Sequence, residues 1–213
     1  NVPAVALLSR IGLDTFYGLL GDLRLHHHEQ PARRYGLGLA IGALPVTLED
    51  LVRAYTTLAG DGSLKTLTWV EGAPHAAPEP VFQPETAREL ALFLSDPQAR
   101  LPTFPRMGFS EYPFAVAVKT GTSSRYRDAW TIAWSRRYLV GVWVGHPDEQ
   151  PMTQLSGYRV AARLAQAVVE RLHREEMKGQ SSFGFTPPHG YHSERLCALT
   201  GQRATPACDR VVI

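Results

Sequence analysis

The hydrophobic positions along the chain mark out helices first and strands later. Pro3 to about Arg10 has a helical pattern, with proline tolerated in the first turn and Gly12 as the stop. A second short helix follows, capped by Asp14, apolar at Phe16, Leu19 and Leu20, and ended by Gly21. Thr47-Leu48-Glu49-Asp50 is an N-cap signature, and Leu48, Leu51, Val52, Tyr55 and Leu58 recur at helical spacing until Gly60-Asp61-Gly62. A short strand is expected at Leu67 to Val70, then a Pro- and Ala-rich connection, then a helix from Pro84 to Leu94 closed by Asp96-Pro97. Pro97, Pro102, Pro105 and Pro113 break up the next stretch.

From Ala115 the pattern changes. Ala115 to Val118 is an apolar run that ends in Lys119-Thr120-Gly121-Thr122. Ser123 to Asp128 reads as a polar turn, Trp130 to Ser135 as a strand, Arg136-Arg137 as a reversal, and Tyr138 to Val144 as another strand. Three antiparallel strands in order are the simplest outcome. The second and third are apolar almost throughout, so both faces of the sheet should be covered. A long helix opening at Ser156-Gly157 would cover one face through Val160, Leu164, Val168 and Leu172, which lie four apart, with its charges elsewhere. The expected fold is therefore α/β (α+β), an antiparallel sheet flanked by helices.

Composition changes this picture only at the ends. The 213 residues, 44% of them hydrophobic, suffice for a large core. The 22 basic and 20 acidic residues are interspersed, so no basic face marks a nucleic-acid partner. No apolar run is long enough to cross a bilayer. His26-His27-His28 are adjacent in sequence and cannot converge from one helical face, which favours a solvated loop. The glycines of Tyr35 to Gly42 lack the spacing of nucleotide loops. Beyond Lys178 the sequence turns to Gly, Ser, Pro and His. The chain is thus divided into residues 1–177 and a 178–213 linker or start of a further module. Cys197 and Cys208 in that tail read as a disulfide-closed loop of an oxidising compartment; a zinc site with His189 and His192 and a pair of free thiols are the alternatives.

The chemistry concentrates at Lys119-Thr120-Gly121-Thr122-Ser123. A cation and several hydroxyls at a buried strand are costly unless something polar meets them, and Gly121 removes the side chain where a ligand or another backbone approaches. A four-residue match alone is weak, and a strand running into a polar turn explains it equally well.

The flanks are more specific. Val118 to Ser124, Arg127-Asp128-Ala129-Trp130, Val140-Gly141-Val142-Trp143-Val144-Gly145, and Val46 to Tyr55 with Leu58-Ala59-Gly60-Asp61-Gly62 resemble the transpeptidase domain of class A penicillin-binding proteins. In penicillin-recognising serine enzymes Lys-Thr-Gly accompanies Ser-x-x-Lys and Ser-x-Asn. The tail after Phe183, Thr186 and Pro187 resembles the 1C type. The resemblance implies a penicillin-binding, β-lactamase-like fold and a serine acyl-enzyme mechanism on D-alanyl-D-alanine stem peptides, with β-lactams as acylating ligands and no cofactor. It implies catalytic roles for Lys119, Asn1 and Thr122, substrate binding by Thr120, Gly121, Thr122 and Ser123, and no metal. The Thr122 backbone N–H is implied as an oxyanion-hole donor.

The departures are as informative. Lys65, Lys119 and Lys178 are the only lysines and none follows a serine by three, so no Ser-x-x-Lys is present. Asn1 is the only asparagine, and Asn1-Val2-Pro3-Ala4-Val5 resembles the family's run from the last residue of Ser-x-Asn. The expectation is a C-terminal portion of a longer polypeptide, with the nucleophile helix, two strands, a glycosyltransferase domain and a membrane anchor upstream, on the periplasmic face of a bacterial inner membrane. A β-lactamase or D,D-carboxypeptidase, and a non-catalytic β-lactam sensor or binding module, are the alternatives.

Overall fold

The computed structural model describes residues 1–27, 30–100, 104, 111–153, 156–174 and 184–212. His28, Pro102, Pro105, Lys178 and Phe183 lie outside the described residues.

Helices α1 (Val2–Ile11) and α2 (Leu13–Asp22) meet at Gly12, whose φ of 97° is a conformation that favours glycine. Pro3 sits in the first turn of α1 as expected. Helix α2 starts from Gly12, with Asp14 in its first turn, and runs through Gly21. The glycine-rich stretch winds into two 3₁₀ turns, Ala32–Arg34 and Gly36–Ile41. Leu8, Tyr17, Ala32 and Leu39 close a small core between these elements.

Helix α3 (Leu48–Ala59) forms where the cap pattern placed it: Thr47 Oγ1 accepts the Asp50 N–H at 3.0 Å and donates to the Asp50 carboxylate at 2.7 Å. The strand expected at Leu67 to Val70 is absent. Trp69 and Val70 are 79% and 71% exposed, with no neighbouring strand to cover them, and the local pairing is instead between β1 (Ser63–Leu64) and β2 (Glu79–Pro80). Next come α4 (Pro84–Ser95) and the short α5 (Pro97–Arg100).

The sheet is β3 (Ala117–Thr122), β4 (Asp128–Trp134) and β5 (Leu139–Gly145), antiparallel and in chain order. β3 extends past its apolar run: Lys119, Thr120, Gly121 and Thr122 pair with Ile132, Thr131, Trp130 and Ala129, so the Lys-Thr-Gly-Thr lies within the strand. Alternation sends Ala117, Ile132 and Trp134 to a core with Leu51, Val52, Tyr55 and Leu94 of α3 and α4. Val116, Val118, Ala129, Ala133, Val140 and Val142 face the other way, toward α6 (Ala162–His173) and the π-helical turn Gly157–Ala161 that leads into it. Both faces of the sheet are covered.

Of the stripe Val160, Leu164, Val168 and Leu172, Val160 packs against the sheet-side core but the other three do not face the sheet. Leu164, Val168 and Leu172 are exposed, whereas Ala161, Ala165, Val169 and His173 are fully buried. The π turn carries one extra residue, which rotates everything after it by roughly 100° relative to an uninterrupted α-helix. Small alanines also bring the helix closer to the strands than leucines would allow.

The described tail lies against the rest of the chain. Phe185 packs into the core under α3 and α4, Tyr191 meets Phe93 edge-on with ring centroids 6.0 Å apart, and Glu85 accepts the backbone N–H of His189. Strands β6 (Leu196–Cys197) and β7 (Val211–Val212) pair beyond it.

Candidate active site

β3 is an edge strand, with β4 on one side and no strand on the other among the described residues. Parity along it is set at the hairpin, where the Ser123 N–H donates to Asp128 O at 3.0 Å. In an antiparallel ladder the N–H and C=O of one residue point to the same side and alternate from residue to residue. Gly121 therefore directs both groups toward β4, while Thr120 and Thr122 direct theirs to the open edge. The Thr120 carbonyl confirms this geometry, since it accepts the Lys119 ammonium at 2.5 Å. The Thr122 N–H lies on the same edge.

Lys119 remains exposed, yet the protein around it removes enough water to hold its pKa below the ordinary lysine value. Its side chain leaves the sheet on the side of α3 and α4, by alternation with Ala117. Thr120 and Thr122 leave on the side of α6. The Thr122 Oγ1 accepts the Gly157 N–H at 3.0 Å, which fixes its rotamer and leaves its own proton to donate. The Ser123 Oγ accepts the Asp128 N–H at 2.8 Å and closes the β3–β4 turn, with its own proton left to donate as at Thr122. Asp128 in turn accepts the Trp143 indole N–H at 2.9 Å, tying the hairpin to β5. Within that turn Arg125 and Tyr126 both have positive φ, 61° and 56°.

The structure brings Lys119, Thr120, Gly121 and Thr122 together on one edge. Asn1 is exposed at the start of α1, and among the described residues no hydrogen bond joins its side chain to that edge. Cys197 and Cys208 are free thiols, which corrects the expected disulfide. The neighbouring Cys208 side chain, with the Thr200 and Leu199 backbone N–H groups, holds the Cys197 thiol down to about 7. His189 is engaged by Glu85 at 3.0 Å and His192 by Glu194 at 3.7 Å, so neither is directed at the thiols.

Two residues escaped the sequence reading. His173 is fully buried at the end of α6; its Nδ1 faces the Val169 carbonyl at 2.8 Å and its Nε2 faces Ser135 Oγ at 3.0 Å. The Val169 carbonyl can only accept, so Nδ1 carries the proton and Nε2 accepts from the serine. Ser135 also accepts the Arg137 and Tyr138 N–H groups, so this pair ties the β4–β5 reversal to the helix. The second is Gly157, whose only sequence signal was its place at a helix start.

An antiparallel sheet sandwiched by helices, with Lys-Thr-Gly on its edge strand, matches one element of the signature of penicillin-recognising proteins. Residues 1–170 match the penicillin binding protein transpeptidase domain, and the chain belongs to that family. It is 31% identical to penicillin-binding protein 1C of Escherichia coli (strain K12) over 170 residues, 79% of this chain and 21% of that protein. It is also 26% identical to penicillin-binding protein 1B of Vibrio cholerae over 202 residues, 87% of this chain and 25% of that protein. The chain thus spans about a fifth to a quarter of the length of these relatives. Among solved structures, penicillin-binding protein 1A from Haemophilus influenzae superposes with a TM-score of 0.66 at 15% identity, over 99% of this chain and 38% of that one. The apo transpeptidase domain of penicillin-binding protein 3 from Burkholderia pseudomallei superposes with a TM-score of 0.59 at 20% identity, over 88% of this chain and 62% of that one.

Proposed function

We propose that this chain forms one wall of a peptidoglycan D,D-transpeptidase site that is also acylated by β-lactams. The observation that carries the proposal is the open edge of β3, where the Thr122 N–H points outward beside the Lys119 ammonium and the Thr120 carbonyl. A stem peptide ending in D-alanyl-D-alanine adds to this edge as a strand. A serine supplied from outside these residues attacks the carbonyl between the two alanines, and the oxygen gains negative charge. The Thr122 N–H is one donor to that oxyanion. The C–N bond breaks, the terminal D-alanine leaves with a proton on its amine, and the acyl-enzyme is then cleaved by the amine of a second peptide. Lys119 supplies positive charge near the substrate carboxylate, the Thr120 and Thr122 hydroxyls donate to it, and the reaction draws on no cofactor. Asn1 closes a further corner of the cleft in this reading.

The serine and its lysine are read as belonging to another part of the same polypeptide, along with a glycosyltransferase domain and a membrane anchor that would hold the site on the periplasmic face of the inner membrane. Two features support a covering segment of that kind: the outer edge of β5, which has no partner strand among the described residues, and the exposed Leu164, Val168 and Leu172 on α6. The test is labelling of the longer polypeptide with a fluorescent penicillin, followed by peptide mapping. Acylation at a serine within a Ser-x-x-Lys is the expected result. A polypeptide that contains such a motif and takes up no label overturns the reading.

A further inference from the structure

We propose that Gly157 is a positioning residue for acyl transfer, setting the plane of the Gly121–Thr122 peptide by packing its bare Cα against the inner end of that plane. This rests on the reading of the site given above. Gly157 opens the π-helical turn Gly157–Ala161 and is buried beneath β3 and β4. A Cβ built on it would lie 2.4 Å from the Gly121 carbonyl oxygen and 2.6 Å from that of Trp130. Both are backbone atoms, which cannot swing aside as a side chain can. The φ of Gly157 is outside the left-handed region, so glycine is required here for space and not for conformation.

The contact bears on chemistry through the geometry of one peptide. The Gly121 carbonyl and the Thr122 N–H belong to the same planar, trans unit and point in opposite directions. Holding the carbonyl oxygen inward against Gly157 fixes where the N–H points at the open edge. The same glycine is bracketed on both sides: its N–H donates to Thr122 Oγ1 at 3.0 Å, and its carbonyl accepts from Thr131 Oγ1 at 3.3 Å. One residue thereby sets both the backbone donor and the hydroxyl rotamer of Thr122. Gly121 itself lacks this constraint, since a Cβ there would meet only the Trp130 side chain at 3.5 Å.

An oxyanion donor acts on the transition state and not on the bound ground state, so its displacement separates rate from affinity. The experiment uses a polypeptide joining this chain to its acylating serine, and measures the acylation rate constant and the preceding non-covalent dissociation constant for a chromogenic β-lactam. Gly157→Ala is expected to lower the rate constant on the order of a hundredfold, as for a displacement of about 1 Å, with the dissociation constant changed by less than about twofold. Gly141→Ala is the control: its Cβ would meet Val52 Cγ2 at 2.3 Å in the core on the α3 side, remote from the edge. It is expected to cost stability while the folded fraction acylates at the wild-type rate. A folded Gly157→Ala enzyme with the wild-type rate constant, or one whose loss lies in the dissociation constant, overturns the proposal. If Gly157→Ala does not fold, Thr131→Val decides in its place, since it removes one side of the bracket at nearly constant volume. A several-fold lower rate constant supports positioning by Gly157, and a wild-type one overturns it. A wild-type polypeptide that is not acylated at all refutes the underlying reading of the site rather than this role for Gly157.

Discussion

Gly121 is left unexplained by the protein's own packing, since an added methyl would make only ordinary contact with Trp130 and no unusual backbone angle demands glycine. Its smoothness is therefore reserved for what lies along the edge. Gly121→Ala is expected to leave the thermal midpoint unchanged or slightly higher, because alanine loses less entropy than glycine on entering a strand. Acylation of the longer polypeptide should nonetheless fall by roughly a hundredfold from a misplaced ligand; full acylation by this variant would contradict the edge-binding geometry. Lys119 shows the complementary trade. Its folded pKa lies below the ordinary 10.5, so the charged form is disfavoured by folding. That cost is fully present below the lowered pKa and disappears as the pH rises toward 10.5. Lys119→Met should accordingly melt higher than wild type near neutral pH, lose this advantage in alkaline buffer, and fail to acylate. Paired melting curves at the two pH values check the sign.

At the scale of elements, the expected and observed faces of α6 differ by one position, and mutation tests which is buried. Val169→Ala is expected to cost about 2 kcal/mol in urea unfolding, because Val169 is fully buried between α6 and the sheet. Val168→Ala, one residue away on the exposed stripe, should cost less than about 0.5 kcal/mol in the same chain. Reversed values would restore the face that hydrophobic spacing alone selects. Local signals worked where the deciding physics was local. The Thr47 cap forms within one turn of its own sequence, and the β3–β4–β5 hairpins join strands that follow one another directly. They failed at Leu67 to Val70, whose apolar residues have no partner strand, and at α6, where a π turn shifts the frame. Ser123 carries a hairpin contact that its neighbours did not announce, its Oγ accepting the Asp128 N–H while its proton remains to donate.

At the scale of the whole molecule, two cores sandwich the sheet and a third gathers α1, α2 and the 3₁₀ turns. No single helix among the described residues is long and apolar enough to cross a membrane. The chain carries the Lys-Thr-Gly wall of a family site but no Ser-x-x-Lys. By itself it should take up no labelled penicillin, whereas a polypeptide supplying the serine should. Covalent labelling of these 213 residues alone, seen by intact mass, would show that another nucleophile serves the site.

The sequence by itself determined the class of fold, the three consecutive strands and the tetrad Lys119 to Thr122 that follows the first apolar run, because strand hydrophobicity, capping and the tetrad with its flanks are written in contiguous residues. Only the tertiary structure decided which way the Thr122 N–H points, that Ser123 turns inward to the hairpin, that the two cysteines stand as thiols, and that Gly157 lies beneath Gly121. Each of these depends on atoms brought together from distant parts of the chain, and a glycine's contribution is the absence of atoms, which no spacing of side chains records.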